Sequence, residues 1–272
     1  MDLNSKDIQL QYEGFLNTPF LWNSDVIFGL KQLELPKVKL TKFNKNIAKN
    51  LRLGKRVERF ISHELQDYSS IKILAENIQI QNVKITVGEI DFIIQQNNIP
   101  IHLEVMYKFY LYDKSVGKTE LEHWIGPNRK DSFVEKLTKL REKQLPLLYK
   151  EQTKPFLKSI NITAKDIQQQ IYFKAQLFVP FQLKNHSFKL INNNSIKGFY
   201  ISFDELFQFN NSKFYIPSKI NWLQEIQIQI NWLSFNEFSP KVETMLQNKT
   251  SPLCWLKQPN GEVFKFFIVW WN

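Results

Sequence analysis

The chain has 272 residues, of which 43% are hydrophobic, and a formal net charge of +10. This length and composition suffice for one large domain or two intimate lobes that bury a core. The single cysteine, Cys254, excludes an intrachain disulfide and a cysteine-based zinc site. The sequence shows neither a signal-peptide pattern nor an apolar run long enough to span a bilayer. We therefore expect a cytoplasmic protein without membrane contact.

The positive charge is concentrated in one short part of the chain. Residues 31–59 contain ten basic side chains against two acidic ones. A concentrated positive field favours polyanions, nucleic acid above all, through phosphate contacts. The alternative is a lysine-rich solvated face that binds no partner. On the first interpretation, the residues predicted to contact nucleic acid are Lys42, Lys45, Lys49, Arg52, Lys55 and Arg56.

Helices and strands can be predicted in chain order. We expect short helices and loops over residues 1–50, and the apolar spacing from Leu51 to Tyr68 predicts a helix. Glu58 falls on the core-facing side of that helix or at its edge. Three strand-like runs follow, over residues 71–81, 85–95 and 99–112.

A second long helix is predicted over residues 132–145. It opens with a capping box of Ser132 and Glu135 and is ended by Pro146. Its inward stripe carries a polar residue, Gln144, where an apolar one is expected. A satisfied core amide is one explanation, and a functional amide is the other.

The remainder of the chain has a mainly strand-like pattern. The predicted strands cover residues 171–179, 187–191, 198–203, 253–257 and 263–271, the last two joined by a Pro259-Asn260-Gly261 turn. The whole order predicts an α/β or α+β fold with a mixed β-sheet flanked by helices. We expect a helical and basic extension over residues 1–50, a core over 51–150, and a β-rich portion over 151–272 packed on the same domain.

The hairpin formed by the second and third strands carries two carboxylates that need an explanation. A two-residue turn at Asn97-Asn98 places Asp91 directly opposite Glu104, with Cβ atoms about 4.5–5.5 Å apart, where the two charges repel. Mg²⁺ or Mn²⁺ takes such oxygen ligands in phosphodiester chemistry. A three-residue turn would instead place Glu104 opposite Ile90.

Lys108 lies on the same face of its strand as Glu104, because strand side chains alternate. It can bind a phosphate or orient an attacking water. The alternatives are structural: Asp91 neutralises Lys108 or caps a turn, Glu104 pairs with Lys108, and Glu58 is a solvated flank residue. Asp91, Glu104 and Lys108 together on one face favour a metal-dependent site.

These residues occur in an order that resembles the PD-(D/E)XK nuclease superfamily: Glu58 on a helix, Asp91 on a strand, then Glu104 and Lys108 on the next strand. A closer resemblance is to an uncharacterised bacterial family, domain of unknown function number 1853. The segments that carry it are residues 53–60, 88–92, 102–104, 108–111, 126–128 with Asp131, and 144–147.

The superfamily resemblance implies a nuclease-like core and Mg²⁺-dependent cleavage of DNA or RNA by an endonuclease or exonuclease. It makes Asp91 and Glu104 the metal-binding acids and Glu58 the helix acid, and Gln144 corresponds to a glutamine of some RecB-type relatives. The expected cofactor is Mg²⁺ or Mn²⁺. The expected partner is nucleic acid, DNA before RNA.

One position departs from the superfamily pattern. The usual lysine stands two residues after the second acid, where this chain has Met106. Lys108 lies about 6.6 Å further along the strand, so its stem and a bulge near residues 105–107 would have to recover that distance. The alternative function is therefore a catalytically inactive nucleic-acid-binding protein that keeps the nuclease-like fold.

Overall fold

A computed structural model describes residues 3–23, 26–36, 41–48 and 50–271. Lys49, one of the predicted nucleic-acid contacts, lies outside the described residues. The α-helices are α1 Leu3–Leu16, α2 Leu53–Gln66, α3 Phe133–Lys139, α4 Lys154–Ser159 and α5 Phe235–Gln247. The strands are β1 Ile71–Asn82, β2 Ile85–Gln96, β3 Ile99–Tyr112, β4 Trp124–Ile125, β5 Gln168–Pro180, β6 Ile196–Ser202, β7 Lys213–Tyr215, β8 Leu253–Lys257 and β9 Val263–Val269.

All these strands join one mixed sheet. Its order is β1-β2-β3-β5-β6-β9-β8-β7, with β4 paired to β3. The central pairs β3–β5, β5–β6 and β6–β9 are parallel, and the flanking pairs are antiparallel. Since β3 pairs with β5, the sheet is continuous from the predicted core into the predicted C-terminal portion.

Helices cover both faces of the sheet around β3. Leu103 and Leu111 of β3 are buried in the same apolar cluster as Phe60 of α2. Tyr110, on the opposite face, is buried with Phe133 of α3. This alternation is the strand period of two. The prediction of a mixed sheet flanked by helices is confirmed.

The central strand β5 carries polar side chains that are buried and paired with both ends of the chain. Lys174 Nζ donates to the carbonyl oxygens of Phe15 and Leu16, at 3.3 and 3.2 Å. Gln176 Oε1 accepts a hydrogen bond of 3.1 Å from Lys265 Nζ of β9. A buried cation is tolerated only where such partners exist. β5 is therefore tied to α1 on one side and to the last strand on the other.

The predicted helix over residues 132–145 begins as expected but changes its winding. Ser132 and Glu135 form the predicted capping box, and α3 then runs to Lys139. A π-helical turn follows over Leu140–Gln144, and a 3-10 helix over Leu145–Tyr149 contains Pro146. The π-helical turn ends and the 3-10 helix begins at Gln144, the polar residue singled out in the sequence.

In the C-terminal portion, one predicted strand does not form and one helix was not predicted. Residues 187–191 do not form a strand, because side chains occupy their amides: Asn193 accepts from Phe188 N, and Glu120 accepts from Lys189 N and Leu190 N. The helix α5 was not predicted, although Ser234 and Glu237 form a capping box at its start. The hairpin of β8 and β9 forms as expected. Among the described residues, no helix combines the length and apolar character that crossing a membrane requires.

Candidate active site

The hairpin of β2 and β3 brings Asp91 beside Glu104. Asn97 and Asn98 have φ angles of 49° and 68°, the positive values that a two-residue turn of type I′ requires. The ladder runs from Gln96 opposite Ile99 to Phe92 opposite Leu103. The next position in this register places Asp91 against Glu104. The two-residue turn predicted from the sequence is confirmed.

The two strands separate directly after this pair, at a place that we call the fork, defined by Asp91, Glu104 and Val105. β2 continues along β1, and β3 continues along β5, so the ladder between them ends at Phe92 and Leu103. Val105 N donates to Asp91 Oδ2 at 2.9 Å in place of a strand partner. The carboxylates therefore lie where the sheet opens.

Burial raises the pKa of both carboxyls, and repulsion by Glu104 adds to the rise at Asp91. Burial, followed by the charge of Glu104, raises the pKa of Asp91 to about 8. Burial raises the pKa of Glu104 to about 7, although hydrogen bonds from Asp91 and Gln144 oppose the rise. A pair held this close retains a proton near neutral pH unless a cation offsets the repulsion.

Glu104 is held by donors on both of its oxygens. Gln144 Nε2 donates to Oε2, and His102 Nε2 lies 2.8 Å from Oε1. Gln169 fixes the histidine tautomer, because its amide nitrogen donates to Leu145 O at 2.6 Å and lies 3.1 Å from His102 Nδ1. Nδ1 then accepts, so Nε2–H donates to Glu104. Burial lowers the pKa of His102 to about 4, which keeps the ring neutral.

A second carboxylate group lies at the start of α2. Lys55 Nζ is 2.8 Å from Glu58 Oε2 and 2.7 Å from Glu89 Oε1. Burial raises the pKa of Glu58, and the negative charge of Glu58 contributes to raising that of Asp91. Glu58 therefore belongs to the electrostatic surroundings of the carboxylate pair, and Lys55 connects its helix to β2.

The structure does not place Lys108 beside the pair. β3 and β5 pair without a register shift from Ile101 to Leu111, so β3 has no bulge near residues 105–107. Lys108 Nζ instead donates to Asp131 Oδ2 at 3.0 Å. Met106 stands where the resemblance described above leads one to expect a lysine. The lysine that contacts acids of this group is Lys55.

The predicted nucleic-acid contacts divide into exposed and buried side chains. Lys42, Arg52 and Lys55 are exposed, and Lys45 donates to Gln66 at 2.8 Å. Arg56 is 1% exposed and donates to Gln11 Oε1 at 2.9 Å, so its inclusion among the phosphate contacts was wrong. A buried arginine of this kind holds α1 and α2 together instead.

The donor set is compatible with a hard divalent ion that keeps several waters. Mg²⁺ is held in many phosphate-processing sites by one or two carboxylates, with waters and substrate oxygens completing the shell. Asp91 and Glu104 supply those two carboxylates. No cluster of three or more His, Cys, Asp or Glu side chains within the described ranges is arranged to hold a metal ion. Water and phosphate oxygens would therefore be the remaining ligands.

Sequence reasoning did not assign a role to two residues of the site. His102 lies on the same strand face as Glu104, two residues away, and this spacing was the signal for its contact. Gln169 enters from β5, 67 residues along the chain from His102. No local pattern could have indicated that second contact.

Comparison with known proteins gives one match. A family model described as Domain of unknown function (DUF1853) matches residues 18–269. No curated protein matches the chain, and no solved structure matches it.

Proposed function

Because the chain belongs to the family described as Domain of unknown function (DUF1853), we propose an activity from the chemistry of its own site. The proposed function is metal-dependent hydrolysis of nucleic-acid phosphodiester bonds by a nuclease-like protein. The observation that carries it is the opposed pair of Asp91 and Glu104, held at a fork in the sheet beside exposed basic residues. We place this activity in the cytoplasm.

Each residue of the pair has a definite part in this proposal. Asp91 and Glu104 would hold Mg²⁺ or Mn²⁺, which supplies an acidified water and shields charge on the leaving oxygen. His102 and Gln144 orient the Glu104 carboxylate through its two oxygens. Outer partners of this kind fix the direction of a ligand and its basicity.

The cations around the pair would take the substrate backbone. Lys55, held between Glu58 and Glu89, is the candidate for contact with the phosphate at the site. Lys108 would contact a phosphate further along the strand. Lys42 and Arg52 extend the exposed positive surface. Such contacts are independent of sequence and sensitive to salt.

A second candidate function is nucleic-acid binding without cleavage. It is favoured by Met106 at the superfamily lysine position and by the engagement of Lys108 with Asp131. Such a protein would bind DNA or RNA in a salt-sensitive manner and leave it intact. The two candidates differ in one measurable property. Only the first predicts cleavage, and that cleavage requires the carboxylates of Asp91 and Glu104.

The test compares wild-type protein with Asp91→Asn and Glu104→Gln on labelled DNA and RNA, with Mn²⁺ or Mg²⁺. We expect cleavage by the wild type and a loss of at least about 100-fold in either variant, beyond the 10- to 100-fold typical of outer partners. Calorimetric titration of Mn²⁺ should show binding to the wild type and weaker binding to both variants.

The matched controls are Asp204→Asn and Glu243→Gln, which remove exposed carboxylates elsewhere in the chain. They should cleave and bind Mn²⁺ as the wild type does. Cleavage that survives unchanged in both site variants would reject the proposal. Salt-sensitive binding without cleavage by the wild type would establish the second candidate instead.

A further inference from the structure

A cavity of about 680 Å³ lies at the edge of β3 that has no strand partner, where Tyr107, Lys108 and Phe109 line it. Within the described residues, β3 pairs with β2 only as far as Leu103 and with β4 only from Leu111 onward. The segment between them therefore presents backbone N–H and C=O groups of its free edge to the cavity. The other walls are residues 50–54, 127, 128, 130, 131, 219, 220 and 222.

The polar part of this cavity is positively charged. Arg52, Lys108, Lys130 and Lys219 line it, and Asp131 is the acidic residue among the lining side chains. Asp131 is already shared by Lys108, at 3.0 Å, and Lys136, at 3.7 Å. Its charge is therefore offset before any ligand enters. The surplus of cations fits an anionic group such as a phosphate.

The remaining part of the cavity is apolar and aromatic. Phe109 and Trp222 pack edge to face with ring centroids 5.3 Å apart, and Phe267 packs edge to face on Trp222 with centroids 5.2 Å apart. Lys219 Nζ lies 5.7 Å from the centroid of the Trp222 ring. A rigid apolar wall next to a cluster of cations matches the two halves of a nucleotide, a flat base and a phosphate.

The cavity is connected to the carboxylate pair by two elements. Lys108 lies on the same face of β3 as Glu104, four residues and about 13 Å further along. Gly54 lines the cavity, and the next residue of α2, Lys55, contacts Glu58 and Glu89. One extended strand of nucleic acid can therefore reach both places.

We infer that this cavity binds one unpaired nucleotide of the strand whose phosphodiester lies at Asp91 and Glu104. The protein then acts on single-stranded nucleic acid or on a single-stranded end. The assignment of the bound nucleotide to the strand that is cleaved rests on the function proposed above. A base in a duplex is stacked and paired, and it reaches a pocket of this size only by being extruded, at the cost of unstacking.

The experiment measures binding without cleavage, in EDTA and about 100 mM salt, where exposed charges beyond about 10 Å are screened. A labelled oligonucleotide of about 12 nucleotides is titrated as a single strand and as a duplex, with anisotropy as the readout. The test variant is Lys130→Glu with Lys219→Glu. The matched control is Lys158→Glu with Lys241→Glu, which makes the same charge change at exposed positions away from the cavity lining.

We expect the wild type to bind the single strand at least about tenfold more tightly than the duplex. The cavity variant should lose about tenfold in affinity for the single strand, and the control less than about threefold. Equal losses in the two variants, equal affinity for the duplex, or no binding by the wild type would overturn the inference. A mononucleotide that competes as well as the oligonucleotide would overturn the assignment to a strand.

The result is separable from the outcome for cleavage. Binding is measured in EDTA, where the divalent ion that the proposed cleavage requires is absent, so the comparison of the cavity variant with its control reports on binding alone. If no cleavage is found but the cavity variant loses binding, the inference stands and the hydrolytic function fails. If cleavage is found but the cavity variant binds normally, the hydrolytic function stands and the inference about the cavity fails.

Discussion

Asp91 and Glu104 meet where neither carboxylate can be fully hydrated, and this sets their chemistry. Glu104 accepts hydrogen bonds on both oxygens, from His102 and Gln144, which suits an ionised carboxylate. Asp91 has the higher pKa, about 8 against about 7 for Glu104. Because the two carboxyls titrate as a coupled pair, the pair retains a proton near neutral pH. A divalent cation would have to displace that proton in order to bind.

The raised pKa values predict how the metal-free protein responds to pH. Below about pH 3 the two carboxyls are protonated in the folded and unfolded states alike, so they do not change the free energy of unfolding with pH. As the pH rises towards 8, the unfolded chain releases protons that the folded chain retains. The free energy of unfolding should therefore fall over this range in EDTA, as measured by urea denaturation.

Asp91→Asn should flatten that decline, because the variant no longer buries a second carboxyl beside Glu104. Asp204→Asn, at an exposed position, should leave the decline as it is in the wild type. A wild-type stability that rises from pH 5 to pH 8 without metal would contradict the expected sign.

The residues of the pair could be predicted from the sequence, but most of their partners could not. The two-residue turn at Asn97-Asn98 fixes the register, and the register fixes which side chains oppose each other. By contrast, Gln144 approaches Glu104 from 40 residues away, and Asp131 reaches Lys108 from 23 residues away. Such pairings depend on how α3 and the loop before it pack against β3. Local residue spacing does not encode that packing.

At the scale of elements, the hairpin turn decides whether the pair exists. Asn98 has a φ of 68°, a conformation that β-branched residues adopt only with strain. Asn98→Val should lower the free energy of unfolding by about 1–2 kcal/mol, whereas Asn98→Gly should leave it nearly unchanged. Urea denaturation measures both. Equal stability of the two variants would show that the turn is not a type I′ turn.

Helix winding is the element-scale feature that sequence patterns missed. The predicted helix was correct at its capping box and wrong in its regularity, because the chain forms a π-helical turn at Leu140–Gln144. Insertions of this kind occur often at functional sites. The turn alters the direction of Gln144 relative to α3, and its amide then donates to Glu104. A prediction from apolar periodicity uses one number of residues per turn for the whole helix, so it cannot predict a π-helical turn within it.

The absent strand at residues 187–191 has a different cause. Its alternating pattern was real, but the amides that would join a sheet are bonded to the side chains of Asn193 and Glu120. Side-chain acceptors compete with a strand for backbone donors. Asn193 lies five residues from Phe188, close enough for that local competition.

At the scale of the whole molecule, one sheet holds the parts together, and Gly198 is a point of close approach within it. A Cβ at this position would overlap the carbonyl oxygen of Lys265 on the neighbouring strand β9. Gly198→Ala should therefore lower the free energy of unfolding by about 3 kcal/mol or more, through disruption of the β6–β9 pair. Urea denaturation followed by tryptophan fluorescence and circular dichroism measures the effect.

The matched control is Gly54→Ala, because nothing lies within 4 Å of a Cβ there. Gly54 is inside α2, so this change should raise stability by about 0.5–1 kcal/mol. The sequence patterns did not indicate that β6 pairs with β9, since a parallel pairing across more than 60 residues leaves no trace in local patterns. A mild effect of Gly198→Ala would show that β6 and β9 are not tightly joined.

The buried polar ties of β5 also fix when the fold can be completed during synthesis. Lys174 finds its acceptors 159 residues earlier in the chain, and Gln176 waits for Lys265, 89 residues later. At ribosomal rates α1 emerges roughly 8–30 s before β5, and β9 follows after roughly another 4–18 s. Until β9 has been made, Gln176 Oε1 lacks its donor, Lys265 Nζ. The nascent chain therefore remains unfinished until nearly all of it has been made, and this interval is when it most needs protection from aggregation.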